Sequence, residues 1–309
     1  MSIKNTLHII FSILLTTSAY AQNKRDIVIK EKILPVLNSG YEDKAAYNTV
    51  KAEVSLLEKG YGHEVLLKRR LLEPAYYHND INYFKNELTV LVKNHGFDAA
   101  YLTGNENYFN AIMKGNLASW FKEMYLKNHT IWLTNNFDKQ ADLRKLNTIN
   151  EKDQYITAFA MKVLNIPGID SLQQETIKNY LAEYHFKNIE PILTIATKWG
   201  VYAGDKSFAC IQNGFDTTLI HNFQFEKNQR EVWEALFPSI KKAYLNNEIT
   251  DVIFRNYDFY HYLHFGSQVF NSFTLQQMPE QFRKTQTGPI PIKDTKWLEQ
   301  IKKEFKWND

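Results

Sequence analysis

Asn256-Tyr-Asp-Phe-Tyr-His-Tyr-Leu-His-Phe-Gly-Ser-Gln268 closes an apolar pattern that begins at Glu248. Its rings do not alternate with polar residues, as a half-buried strand would require, and Gly266 stands where a helix would stop. The stretch therefore predicts a long helix from Glu248 to His264. Asp258, His261 and His264 follow at steps of three, so neighbours share a face while the outer pair drifts apart. A carboxylate and two imidazoles in that order make a candidate metal set, with His261 and His264 as ligands and His221 or Glu226 completing it. The plainer reading is a ring-rich helix buried in a core.

The same periodicity runs outward in both directions. Ala46, Val50, Val54 and Leu57 mark a helix over Tyr41–Glu58, stopped by Gly60. His63–Leu72 reads as a second helix, ending near Pro74. Phe84, Leu88, Leu91 and Val92 line a third, over Asn79–Asn94 with Gly96 beyond it, and Asn105–Leu126 reads as a fourth. The second and third resemble one tetratricopeptide-like hairpin, without a second copy at a 34-residue period.

After the polar break Asn135-Asn-Phe-Asp138, helices are predicted over Lys139–Leu164, Ser171–Tyr184 with Ser171 as cap, Ile189–Trp199, Asp205–Asn222 and Gln229–Asn246. Asp294 caps a last one, whose Trp297, Ile301 and Phe305 share a stripe. With 12 glycines, 8 prolines and no sustained two-residue alternation, the expected class is all-α. Helical hairpins in 22–138 would pack on a multi-helix domain in 139–309.

Residues 1–21 read as a secretory signal. Lys4 precedes the short apolar run Leu7–Leu15, and Ser18-Ala-Tyr-Ala21 offers small residues for cleavage after Ala21. The expected compartment is the periplasm or the exterior. No later segment is apolar enough to span a bilayer. The net charge of +3 gives no basic stripe for nucleic acid. Cys210 is the only cysteine, so an internal disulfide and a multi-thiolate zinc site are both excluded, and the thiol is expected to be a buried apolar filler.

Several motifs of the second half occur in order. They are Leu146…Asp153-Gln154, Ile195…Trp199-Gly200 with Gly204, His221, Phe237-Pro238, Phe265-Gly-Ser-Gln268 and the tail Pro289–Trp307. Together they resemble an uncharacterised bacterial family, domain of unknown function 6624, over about residues 140–309. The resemblance implies a helical domain and a candidate groove, but no reaction. Two departures stand out: Phe259 follows Asp258 where the family has arginine, and Ile220 precedes His221 where it has glutamine.

The candidate site residues are then His221 and Asp258 as a catalytic base and its orienting carboxylate. Asp153, Gln154, Gly266, Ser267 and Gln268 would line the same groove. On a helical wheel drawn from Phe208, His221 falls off the apolar stripe and so reads as surface or groove. Asp153 reads most simply as a surface partner of a lysine. No cofactor is implied beyond the candidate metal. The leading expectation is an exported binding protein for a protein, peptide or glycan, using Tyr257, Tyr260 and Tyr262 as contact rings. The alternative is an envelope hydrolase, metal-dependent or not, working through the histidines and aspartates.

Overall fold

The computed structural model describes residues 23–39, 41–204, 206, 208, 216–283 and 288–307. Residues 1–21, expected to be a signal, and Cys210 lie outside the described residues. The first half builds α1 (Lys24–Val28), which continues through a π-helical turn into α2 (Leu34–Ser39), then α3 (Lys44–Tyr61), α4 (Val65–Tyr77) and α5 (Ile81–His95). It ends with the short α6 (Phe109–Met113) and α7 (Ala118–Asn135). The second half builds α8 (Phe137–Leu164), α9 (Ser171–Lys187), α10 (Ile189–Trp199), α11 (Asp216–Phe223), α12 (Glu226–Leu245), α13 (Val252–Phe265) and α14 (Thr295–Phe305). Among the described residues there is no strand, only one isolated parallel bridge between Gln268 and Ile292. The all-α expectation holds.

Two large apolar cores form, one on each side of the break at Asn135–Phe137, and Tyr262, Phe273, Met278 and Ile290 make a smaller third cluster. Ile33, Val54, Leu71, Phe84, Leu88 and Leu91 centre the first. Leu236, Ile240, Phe254 and Phe270 centre the second. Each fully buried side chain of this size contributes about 1.5–3 kcal/mol. Tyr257, Tyr260 and Tyr262 belong to these interiors and are 5%, 4% and 0% exposed. Tyr257 stacks on Trp233 at 4.0 Å between ring centroids. The expectation that these three rings meet a partner is overturned. Helix α13 has apolar neighbours on several sides, so its rings serve packing.

The two halves are bolted together by buried polar groups. Arg25 donates two hydrogen bonds of 2.8 Å to the Glu64 carboxylate and a third, of 3.3 Å, to the Ile249 carbonyl. Tyr244 donates to Asp26 at 2.8 Å, and the Trp307 indole donates to Tyr244 at 2.8 Å. Burial, then the charge of Asp251, pushes the Asp26 carboxyl up to about 7.

Local departures from the sequence reading have local causes. Helix α4 runs through Pro74 to Tyr77, because Leu71, Leu72 and Ala75 are fully buried and their packing outweighs one lost amide. The predicted helix over Asn105–Leu126 is broken: the Leu117 amide turns back to the Ala111 carbonyl at 3.1 Å around Gly115. Asp170, not Ser171, caps α9, through a reciprocal bond pair with Gln173. Gly96, Gly200 and Gly266 end their helices in the left-handed region, as expected.

Candidate functional site

Asp153, on α8, is completely buried, and its carboxylate bridges two imidazoles from two other helices. His185, in the last turn of α9, places Nδ1 2.6 Å from Asp153 Oδ1. His221, on α11, places Nδ1 against Asp153 Oδ2. The rings of His185 and His221 lie 4.8 Å apart between centroids. Exposure falls from 5% at His221 to 1% at His185 and 0% at Asp153.

The helices are fixed by polar contacts around this point. Thr157 lies one turn after Asp153 on the same face of α8. Its hydroxyl donates to the Asp153 carbonyl at 2.8 Å, and its oxygen sits 3.4 Å from both His185 Nε2 and His221 Nδ1. The Asn188 amide reaches Asp153 Oδ1 at 3.4 Å. Asn222, beside His221, donates to the carbonyls of His185 and Thr218 at 2.9 and 2.8 Å. Asn228 donates to Ala182 and to Asn222, which ties α9 to the start of α12. His264 hydrogen-bonds the carbonyl of Phe223 at 2.9 Å, joining α13 to the end of α11.

The electrostatics follow from this geometry. Burial alone would raise the Asp153 carboxyl, but the bonds from His185 and then His221 outweigh it and hold the group at about 2. Burial lowers His185, opposed by its bond to Asp153. Among the described residues Asp153 has imidazole partners and no lysine or arginine partner.

Two readings of the sequence change here. Asp153 is not a surface residue paired with lysine. His221 is not on the surface either. The wheel was drawn from Phe208, which lies in a bend and not in a helix, so the angle did not apply. Residues 205, 207 and 209–215 of that expected helix lie outside the described residues.

The other candidates make their hydrogen bonds elsewhere among the described residues. Asp258 is fully buried, and burial pushes its carboxyl up to about 6 against the bonds it accepts. Its Oδ1 accepts from the amides of Val269 and Phe270 at 2.8 and 3.0 Å. Its Oδ2 accepts from the Ser272 amide and hydroxyl at 3.0 and 2.8 Å. It folds the turn after α13. Gln268 works in the same turn, accepting from Ser272 and Phe273 and donating to the Phe273 carbonyl. His261 Nδ1 bonds the Ser267 carbonyl at 2.8 Å, so His261 and His264 each serve a different backbone oxygen. Gly266 is the left-handed end of α13, and Gln154 is exposed beside the buried Asp153.

His185 is the member that motif reading missed. A signal existed: Ile177, Leu181 and His185 stand four apart, so the histidine continues an apolar stripe of α9. Beside the cluster, α8 and α9 also frame an apolar groove of ≈ 350 Å³, lined by Ile156, Phe159, Val163, Ile177, Tyr180 and Tyr184 among others. Tyr155, Phe159 and Tyr180 are exposed on this hairpin. No family model, no curated protein and no solved structure matches the chain.

Proposed function

We propose that the protein is exported to the bacterial cell envelope and that its second half carries a hydrolytic centre made of Asp153, His185 and His221. One observation carries this reading: a fully buried carboxylate is shared by two imidazoles that arrive from separate helices. A buried charge is costly, and three-helix convergence on it goes beyond what packing needs. Carboxylate and imidazole together are the groups that take a proton from an attacking water. His221, the most exposed of the three, is the side from which water would arrive.

The test is a screen of the exported chain against ester, phosphoester, amide and glycoside substrates, alongside Asp153→Asn. The expected result is turnover of one class, reduced about 100-fold or more in the variant. A folded Asp153→Asn protein that keeps the rate of the parent would contradict the reading.

A binding role is the second reading, and its support has moved. It no longer rests on the tyrosines of α13, which are buried, but on the apolar α8–α9 groove with its exposed rings. Fluorescence titration with apolar peptides and glycans, repeated in Phe159→Ala, addresses it. Binding that ignores Phe159 would count against the groove.

A further inference from the structure

We propose that Asp153, His185 and His221 hold one divalent transition-metal ion of the zinc class, with one carboxylate oxygen and the Nδ1 atoms of both rings as ligands. This deepens the hydrolytic reading and rests on it for its purpose, because the ion would be what activates the water.

The first argument is convergence. One ligand atom from each of the three side chains can be chosen so that all lie within 4.8 Å of one another. A proton shared between a histidine and an aspartate needs two such atoms, whereas a metal ion needs three or four.

The second argument concerns the tautomer of His185. The Thr157 hydroxyl proton is committed to the Asp153 carbonyl at 2.8 Å. Toward His185 Nε2, at 3.4 Å, the Thr157 oxygen can therefore only accept. That contact suits a His185 that keeps its proton on Nε2 and turns the Nδ1 lone pair to an ion. Nδ1 faces Asp153 Oδ1 at 2.6 Å, a contact that an Nδ1–H donated to the carboxylate makes when no ion is bound. The ion would take the place of that proton, and His221 Nδ1 stands on the other oxygen of the same carboxylate. An ion at that point serves all three.

The third argument is the surrounding shell. A ligating histidine ordinarily donates its far N–H to a fixed oxygen, and Thr157 fills that role for His185. Asn188 approaches the carboxylate from the side. Two nitrogens and one carboxylate suit zinc, iron, cobalt or manganese better than calcium or magnesium. Three protein ligands leave a position for water, as in catalytic rather than structural zinc sites.

The experiment uses the exported chain purified without a histidine tag, stripped with a chelator, and titrated with Zn²⁺ by calorimetry and with Co²⁺ by visible absorption. The expected result is one ion per chain and cobalt ligand-field bands. His185→Gln, His221→Gln and Asp153→Asn should each weaken binding by more than about 100-fold, the upper cost of losing an outer-shell partner. Thr157→Val, which keeps all three ligands, should weaken it about 10–100-fold. Circular dichroism monitors the fold, and where a ligand variant does not fold, the wild-type and Thr157→Val titrations decide. A folded wild-type chain that binds neither ion overturns the proposal. So does binding that survives His185→Gln, or that disappears only in His261→Gln and His264→Gln. Hydrolysis by the stripped protein would remove the metal and leave the hydrolytic centre standing. One bound ion without turnover of any substrate would do the reverse.

Discussion

Replacing Asp258 with alanine separates a structural carboxylate from a catalytic one. The carboxylate, itself at zero exposure, accepts the amides of Val269, Phe270 and Ser272 and the hydroxyl of Ser272, and all three of those residues are buried. Alanine leaves these donors without an acceptor in a site closed to water. Each orphaned buried donor costs about 1–3 kcal/mol, and the hydroxyl can turn elsewhere. Three backbone amides with partial relaxation give about 3–5 kcal/mol. At about 2–4 °C per kcal/mol for a unit of this size, the melting temperature should fall by about 6–20 °C. The assay is thermal unfolding followed by circular dichroism, with urea unfolding to give the free energy. Asp258→Asn should cost less, because one oxygen remains. An Asp258→Ala protein that melts within 1 °C of the parent yet loses hydrolysis or metal binding would refute the reasoning and return Asp258 to the site.

Other perturbations test other parts of the fold. Asp26 titrates at about 7 in the folded chain and near 3.8 in the unfolded one, so the folded state holds its proton more tightly between these values. Its contribution is present below about pH 4 and is lost as pH rises through 7, by about 2–4 kcal/mol; Asp26→Asn should flatten that dependence in melts from pH 5 to 8. Arg25→Ala leaves the buried Glu64 carboxylate to the longer Lys206 contact of 3.7 Å and should cost about 3 kcal/mol in urea unfolding. Gly96→Ala would set a Cβ 2.3 Å from the Trp132 ring at a φ of +67°. It should cost about 2–4 kcal/mol by the same measurement, and a smaller effect would mean that Trp132 moves aside.

The helices were legible because their apolar residues recur at helical steps, and Gly96, Gly200, Gly266 and Asp294 punctuate them as local chemistry requires. Pro74 misled because local propensity lost to the packing of Leu71 and Ala75. The site was legible only in pieces. Asp153 and His221 could be named, but they are 68 residues apart and nothing local says that they meet. The Asp258 group was over-read, since a carboxylate near two histidines in sequence met backbone amides instead. His185 hid as one more member of an apolar stripe.

The central claim is that Asp153 joins His185 and His221 into one unit. Long-range proton–nitrogen spectra of the histidine rings test it directly. In wild type against Asp153→Asn, the account predicts that the Nδ1 resonances of both His185 and His221 move by several ppm, while those of His261 and His264 stay in place. Unmoved signals from His185 and His221, in a variant that remains folded, would contradict it.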